Sequence, residues 1–306
     1  MTEIKIDINY DFHKDNKKKI KEWDPDKQSE NLWDYHSVLW KKEKLKGLRK
    51  AKTEKRGKET ISGYLKLDIE DKNSQNGKIM LTLRSDNFEA LYRNYERYNN
   101  YEKYKKKDKI DNYKKIKTAM DSKKEWKYVI GGSLIFPAFK KEKGRQTINQ
   151  SRGINKKVAD RIDITLLCIK LWYEKKEENA KNPLKASLDQ PENKKFFRLF
   201  GEGEEGFRNY VDFFFMNDFV NDDYEPINLF DKNREKLDEK IFGEKSEKED
   251  EKKSIYPEKE DEWNNLYENL KTCITKRSER IWNDLKDNHL TDEKDFHFVI
   301  ERQKNG

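Results

Sequence analysis

The residues whose chemistry could support a reaction lie in and around one polar cluster, which interrupts the most apolar stretch of the chain, residues 130–219. A helix is predicted over 156–174, with Asn155 as its N-cap, because apolar residues recur there at the spacing of one helix face. Clustered charged groups with perturbed pKa values collect at functional sites, so these side chains could line a pocket for a substrate or a nucleotide. The candidate polar pocket comprises His36, Asn149, Arg152, Asp160, Arg161 and Asp163.

A buried ion-pair network is the alternative interpretation of the same cluster. A charge without a partner is very costly to bury, so we expect these side chains to pair with one another or with Asp212 and Asp218 on the next predicted helix. Gly131 and Gly132 lack the spacing of a phosphate-binding glycine loop, so they do not favour the pocket. Because ion-pair networks produce the same pattern as a functional site, we favour the network.

His36 lies on a helix that is predicted to begin after Ser29, which can act as its N-cap. Leu32, Leu39 and Trp40 each lie three or four residues from His36, on the same face of that helix. The imidazole could serve as a general acid or base near neutral pH. A histidine on an apolar face is more typical of a packed, hydrogen-bonded core residue, so that is the role we expect.

A set of short motifs runs through the apolar stretch. They are Ile130-Gly131-Gly132 with Phe136-Pro137, Thr147-Ile148-Asn149 with Arg152-Gly153, Asp160-Arg161 with Asp163, Thr165-Leu166 with Cys168-Ile169, and Tyr210-Val211-Asp212-Phe213-Phe214. Together they resemble a widespread bacterial family that is known only as a domain of unknown function. The resemblance implies a shared fold unit and carries no catalytic assignment.

The segment 93–127, which we call the basic segment, holds thirteen Lys and Arg against six Asp and Glu, a net charge of 13 − 6 = +7 in a chain whose total is +8. Tyrosines recur every three residues from Tyr92 to Tyr104, a step that drifts around a helix, so the rings cannot all enter one core. Interleaved basic and aromatic residues are typical of a nucleic-acid surface, and the alternative is a solvated helical arm. The predicted nucleic-acid or partner contacts are Arg93, Arg97, Tyr98, Tyr101, Lys103, Lys105, Lys106, Lys107, Lys109, Lys114 and Lys115.

The composition predicts a small aromatic-rich core inside a charged shell. Of the 306 residues, 33% are hydrophobic, 42% are charged and 12% are aromatic, and the net charge is only +8, which argues against disorder. Cys168 and Cys273 are expected to be core residues, and so few cysteines suit a reducing cytosol. The sequence shows no signal peptide and no apolar run long enough to span a membrane, so we expect a cytoplasmic protein.

We predict an α+β protein with a mainly helical core and a small antiparallel sheet from the N-terminal half and residues 128–136. Asn76-Gly77 between two alternating runs indicates a hairpin, and the pattern after Glu258 indicates a long amphipathic helix. The predicted parts, together one compact domain with insertions, are an N-terminal α+β segment 1–92, the basic segment 93–127, a helical core 128–242, a charged linker 243–257, and a C-terminal helix with a short strand 258–306.

The leading functional hypothesis is a non-catalytic protein that binds RNA or a ribonucleoprotein through the basic segment. One setting for this activity is the conflict between bacteria and phages, in which a mobile-element-encoded, anti-CRISPR-like protein inhibits an RNA-guided nuclease. The alternatives are a toxin or defence enzyme that modifies nucleotides or RNA through the polar cluster, and a protein-only adaptor. The sequence contains no zinc, phosphate-loop or nucleophile motif, so we expect no cofactor and no metal.

Overall fold

The computed structural model describes residues 6–17, 19, 23–51, 54–56, 59–61, 65–71, 74, 76–88, 128–138, 147–175, 181–237, 239–242, 255 and 260–289. The predicted short strand near the C-terminus lies outside the described residues. The chain forms two compact units. Unit 1 comprises Met1–Asn87, Tyr128–Phe139 and Thr275–Gly306, and unit 2 comprises Phe88–Lys127 and Lys140–Ile274.

The described residues combine α-helices with antiparallel strands, so the predicted α+β class is confirmed. The helices are α1 (Pro25–Gln28), α2 (Glu30–Leu39), α3 (Ile148–Ile154), α4 (Ile162–Glu174), α5 (Lys185–Leu188), α6 (Pro191–Arg198), α7 (Gly203–Phe213) and α8 (Glu260–His289). The strands are β1 (Leu48–Lys50), β2 (Glu54–Arg56), β3 (Glu59–Ile61), β4 (Leu65–Glu70), β5 (Lys78–Asn87) and β6 (Ser133–Pro137). Short 3-10 helices span Phe12–Asp15, Glu43–Leu45, Ile130–Gly132, Asn217–Phe219 and Glu239–Phe242. None of the helices in these ranges is long and apolar enough to cross a bilayer.

Unit 1 contains a four-stranded antiparallel sheet in the order β1-β4-β5-β6. Strands β4 and β5 form the hairpin at the position that the sequence predicts, and Gly77 adopts a φ of 65° in the turn. Leu65 lies opposite Leu83, and Leu67 lies opposite Leu81. All four leucines are buried, so this register directs one face of the hairpin into the core.

Helix α2 of unit 1 begins at the residue that the sequence predicts. The Ser29 hydroxyl accepts a hydrogen bond from the Leu32 N–H at 3.0 Å, which satisfies one of the free donors of the first turn. The helix then buries Leu32, Trp33, His36 and Leu39 along one side. Ser29 therefore fixes where the face that carries His36 starts.

Helix α4 supplies the centre of unit 2, because every residue from Ile162 to Tyr173 is buried. Aromatic side chains at the end of α4, on α6, on α7 and in the turns that follow α6 and α7 pack in edge-on and tilted pairs. The ring centroids lie 5.2–6.4 Å apart among Tyr173, Phe196, Phe197, Phe200, Phe207, Tyr210 and Phe214. These separations are those of favourable aromatic contacts, so these seven buried residues form part of the core of unit 2.

The helix predicted over 156–174 begins later than the sequence indicates. Asn155 is the C-cap of α3 and not the N-cap of the next helix, so that prediction was wrong. Its side chain donates to the carbonyl of Pro183 at 3.1 Å. The preceding helix, α3, has Thr147 as its N-cap, and the Thr147 side chain forms a capping box with Gln150. Most of the polar residues before residue 156 that the motifs include, Thr147 to Gly153, therefore lie in or cap α3.

Residues 156–160 form a turn between α3 and α4. Ala159 and Asp160 adopt left-handed φ angles of 51° and 62°, which non-glycine residues rarely take. The Asp160 N–H donates to the carbonyl of Arg152 at 3.0 Å, so the turn is closed by a backbone hydrogen bond. Helix α4 therefore starts at Ile162, after the chain has reversed.

Candidate functional site

The closest ion pair of the polar cluster joins Arg161 to Asp163. The two side chains are 1% and 0% exposed. The guanidinium donates through Nε to Oδ1 at 3.0 Å and through Nη2 to Oδ2 at 2.5 Å. This bidentate geometry matches the fork of an arginine to a carboxylate. The internal pairing that the sequence predicts is therefore present.

The remaining hydrogen-bonding groups of this pair are also engaged. The Asp163 carboxylate accepts the N–H of Leu229 at 3.1 Å, and Arg161 Nη1 donates to the carbonyl of Ile255 at 3.1 Å. The ring of Phe230 lies 3.7 Å from the guanidinium carbon. These contacts replace the water that the two charges lose on burial. The pair thus links the first turn of α4 to the loop that contains Leu229.

Arg152 stabilises the turn that precedes α4. Its buried guanidinium donates through Nε to Thr165 Oγ1 at 2.8 Å and through Nη2 to the carbonyl of Asp160 at 3.1 Å. The Asp160 carboxylate lies 3.6 Å from the same nitrogen. Thr165 in turn donates to the carbonyl of Arg161 at 2.7 Å. Arg152 therefore holds the left-handed turn against α4, which is a structural role.

The other predicted pocket residues are placed differently. Asn149 lies half-buried on α3, and His36 belongs to unit 1, whereas the other five residues of the predicted pocket belong to unit 2. Asp212 is exposed, and its carboxylate accepts from Asn217 Nδ2 at 2.6 Å and from the Tyr224 hydroxyl at 2.9 Å. The expectation that Asp212 pairs with the buried cluster was wrong, because α7 turns its carboxylate toward these neighbours.

His36 is buried in unit 1 between two hydrogen-bonding side chains. Trp40 donates through Nε1 to His36 Nδ1 at 2.8 Å, and His36 Nε2 lies 2.9 Å from Ser85 Oγ. An indole N–H can only donate, so Nδ1 must accept and the proton of the neutral ring must be on Nε2. His36 therefore donates to Ser85, the opposite of the arrangement in which a histidine activates a serine nucleophile.

Burial, together with the nearby charge of Arg277, lowers the pKa of His36 to about 3. The imidazole is therefore neutral in the folded protein at neutral pH. Its acceptor nitrogen is engaged by Trp40 and its donor nitrogen by Ser85, so His36 is a packed, hydrogen-bonded core residue.

The lowered pKa of His36 predicts how stability depends on pH. Between the folded pKa and the unfolded value of about 6.5, the unfolded chain binds one more proton, so stability falls as the pH is lowered through this range. One such group adds up to about 1.4 kcal/mol per pH unit to the slope of the free energy of unfolding against pH. In His36→Gln this contribution should vanish from denaturant unfolding curves recorded at several pH values. Equal slopes in wild type and in His36→Gln would contradict the assignment.

Arg277 on α8 is a buried residue that the sequence analysis did not single out. Its Nη1 donates to the carbonyls of Gly131 and Ser133, both at 2.7 Å, and to that of Ile130 at 3.3 Å. The guanidinium carbon lies 5.6 Å from the ring of Trp40. The glycine-rich turn before β6 is thus a set of carbonyls gathered around one arginine. The sequence could have indicated that Arg277 is buried, because it lies on the apolar stripe of α8, four residues before Ile281.

A cleft of about 250 Å³ lies in unit 2 among the end of α4, α5, α6 and the start of α7. We call it the basic cleft, because lysine and arginine outnumber carboxylates along it. Its charged lining residues are Lys175, Lys185, Asp189, Lys194, Arg198 and Glu202. No sequence pattern indicates the basic cleft, because these residues come from four different elements.

The basic segment, with all of its predicted contacts from Arg93 to Lys115, lies outside the described residues. Within the ranges that are described, no group of three or more His, Cys, Asp or Glu side chains is placed to hold a metal ion. Cys168 and Cys273 are both buried and carry free thiols.

Comparison with known proteins gives one match. The model described as "Family of unknown function (DUF6994)" matches residues 6–281. No curated protein and no solved structure matches the chain. The match covers both the polar cluster and the His36 environment, and it agrees with the resemblance carried by the motifs of the apolar stretch. The chain belongs to this family of unknown function.

Proposed function

We propose that this protein binds RNA, free or within a ribonucleoprotein, through the basic segment. The observation that carries the proposal is the charge of that segment, +7 of a total of +8, interleaved with tyrosines. Lysine and arginine neutralise phosphates and release counterions, and aromatic rings stack on unpaired bases. Single-stranded RNA offers both groups at once in its loops, bulges and ends, where the bases are unstacked.

The geometry of the described residues weakens the alternative of an enzyme built on the polar cluster. Arg161 and Asp163 direct their hydrogen-bonding groups at each other, at backbone groups and at the Asn228 side chain. The lone pair that a histidine base would offer to a substrate is occupied at His36 by the Trp40 indole. These groups are engaged in holding the fold, and a binding function is favoured over this chemistry.

In the finer form of the proposal, the RNA belongs to an RNA-guided nuclease that the bound protein inhibits. A guide RNA presents phosphates and unpaired bases, the groups that a segment rich in lysine and tyrosine suits. An acidic protein surface would also attract lysines, which is the adaptor alternative. Tyrosine stacking separates the two, because bases are present only on the nucleic acid.

The proposal is tested by anisotropy titrations of a labelled single-stranded RNA at one salt concentration. Tyr98→Ala and Tyr101→Ala should each weaken binding by about 1–3 kcal/mol where the ring stacks on a base. Lys105, Lys106 and Lys107 changed together to Glu should weaken it strongly. The matched control reverses three exposed lysines elsewhere, Lys44, Lys46 and Lys271, and so changes the net charge equally.

The control should bind RNA nearly as wild type does, since the proposal assigns affinity to one segment and not to the total charge. Equal loss in both triple variants would contradict the assignment to the basic segment. Binding to a ribonucleoprotein after its RNA is digested, with no binding to RNA itself, would favour the adaptor and overturn the proposal.

A further inference from the structure

Two of the four cations of the basic cleft are neutralised within it. Lys185 Nζ lies 2.6 Å from Asp189 Oδ2, and Arg198 Nε lies 3.5 Å from Glu202 Oε1. In both pairs the two residues are four positions apart in the sequence, which places each carboxylate beside its own cation. These pairs leave the other cations of the cleft to set its charge.

Lys175 and Lys194 are those other cations, and neither forms an ion pair with a residue that the structure describes. Among the residues that the structure describes, four cations and two carboxylates line the cleft, and together they carry a charge of 4 − 2 = +2. The pKa of Asp189 reflects these charges. Burial opposes ionisation of its carboxyl group, but hydrogen bonds from Lys185 and Trp172 and the charge of Lys194 lower the pKa overall. The cleft therefore favours negative charge.

The start of α7 adds backbone donors to the same cleft. Gly203 lines the cleft as the first residue of this 11-residue helix, and Glu202 provides no side-chain cap for the free N–H groups. Nothing lies within 4 Å of the position that a Cβ of Gly203 would take, so the backbone there is open to a ligand. Helix N-termini favour anions. The exposed Glu204 and Glu205 of this turn are not among the lining residues.

The size of the cleft limits what it can hold. Its volume of about 250 Å³ lies below the range of about 300–1,000 Å³ that is common for drug-sized ligands. A small anion, or one charged group of a larger ligand, fits this space. Lys175 and Lys194 form no ion pair with the described part of the chain, and two such cations favour a ligand group with more than one negative charge.

We propose that the basic cleft binds a phosphomonoester through Lys175, Lys194 and the first turn of α7. A phosphomonoester carries a charge of about −1.5 to −2 at neutral pH, which matches the charge of the lining. A mononucleotide and the phosphorylated end of an RNA strand both present this group. For the second source the inference rests on the proposed RNA binding, and for the first it does not.

Calorimetric titration of the full chain with uridine 5′-monophosphate, and with uridine as the uncharged control, tests the cleft directly. The nucleotide should bind and uridine should not. Lys175→Gln combined with Lys194→Gln should weaken nucleotide binding by about tenfold or more, because each lysine contributes a charge-assisted hydrogen bond. The matched control, Lys157→Gln with Lys232→Gln, removes two exposed charges from the same unit and should bind as wild type does.

A second arm compares single-stranded RNA with a 5′-phosphate and with a 5′-hydroxyl. A preference for the phosphorylated strand that the cleft variant loses identifies the RNA end as a source, and nucleotide binding without this preference identifies the mononucleotide. Failure of the RNA proposal appears as no affinity for the 5′-hydroxyl strand, which has no phosphomonoester, and leaves the nucleotide titration intact. Undetectable nucleotide binding, or equal losses in the cleft and control variants, would overturn the inference.

Discussion

Arg161→Ala should lower the free energy of unfolding by about 3–5 kcal/mol, because it leaves the Asp163 carboxylate buried without its partner. Asp163 is 0% exposed and accepts both strong donors of the guanidinium, so water cannot replace them without opening the core. Denaturant unfolding monitored by tryptophan fluorescence and by circular dichroism measures the change. Coincident transitions by the two probes support a two-state treatment, which the comparison requires.

The exposed pair of Arg49 and Asp68 provides the matched control. Its side chains are 49% and 42% exposed, so Arg49→Ala should change stability by less than about 1 kcal/mol. Replacing Arg161 by Met and Asp163 by Leu together should be less destabilising than Arg161→Ala alone, because no charge then remains buried. An Arg161→Ala protein with wild-type stability and lost ligand binding would instead favour the pocket interpretation of the cluster.

Arg277→Ala should be the other strongly destabilising substitution, by about 3–5 kcal/mol, because it removes a charged donor from three carbonyls and leaves a cavity. Arg277→Lys keeps the charge but not the planar fork, so an intermediate loss is expected. Lys276→Ala, on the exposed side of the same helix, is the control and should have little effect.

A second observable distinguishes this account of Arg277 from simple loss of packing. The charge of Arg277 helps to lower the pKa of His36, so the pKa measured by NMR should rise in Arg277→Ala and stay low in Arg277→Lys. An unchanged His36 pKa in a folded Arg277→Ala protein would contradict the electrostatic part of the account.

Features that depend on a few neighbouring residues were predictable from the sequence. Ser29 caps the helix that follows it, and Gly77 occupies the turn between two alternating runs. In both cases a single side chain or a glycine satisfies a local backbone requirement. The α+β class followed from the same local patterns, since long 3.6-residue and short alternating periods both occur in the chain.

Features that depend on distant contacts were not predictable in the same way. Asn155 is as suitable for one helix end as for the other, and what ends α3 there is a turn held by Arg152. Arg277 contacts Ser133 across 144 residues, so neither segment alone indicates the pairing. The basic cleft is assembled from four elements, and only the tertiary fold brings its cations together.

The polar cluster also combines a feature that was predictable from the sequence with one that was not. The sequence indicated that Arg161 and Asp163 must pair, because burial of unpaired charge is costly. It did not indicate that Asp212 would face solvent and bind Tyr224, since an aspartate on an amphipathic helix can lie on either side of the boundary. Sequence patterns thus predicted the need for partners better than their identity.

The salt dependence of RNA affinity measures how many RNA phosphates the basic segment neutralises. Each phosphate neutralised on a single strand contributes a slope of about −0.7 to the plot of log binding constant against log salt concentration. For wild type we expect a steep slope, and reversal of Lys105, Lys106 and Lys107 should flatten it by up to about 2. Reversal of Lys44, Lys46 and Lys271 should leave the slope nearly unchanged. No measurable RNA binding, or the same slope in wild type and in the basic-segment variant, would contradict the account.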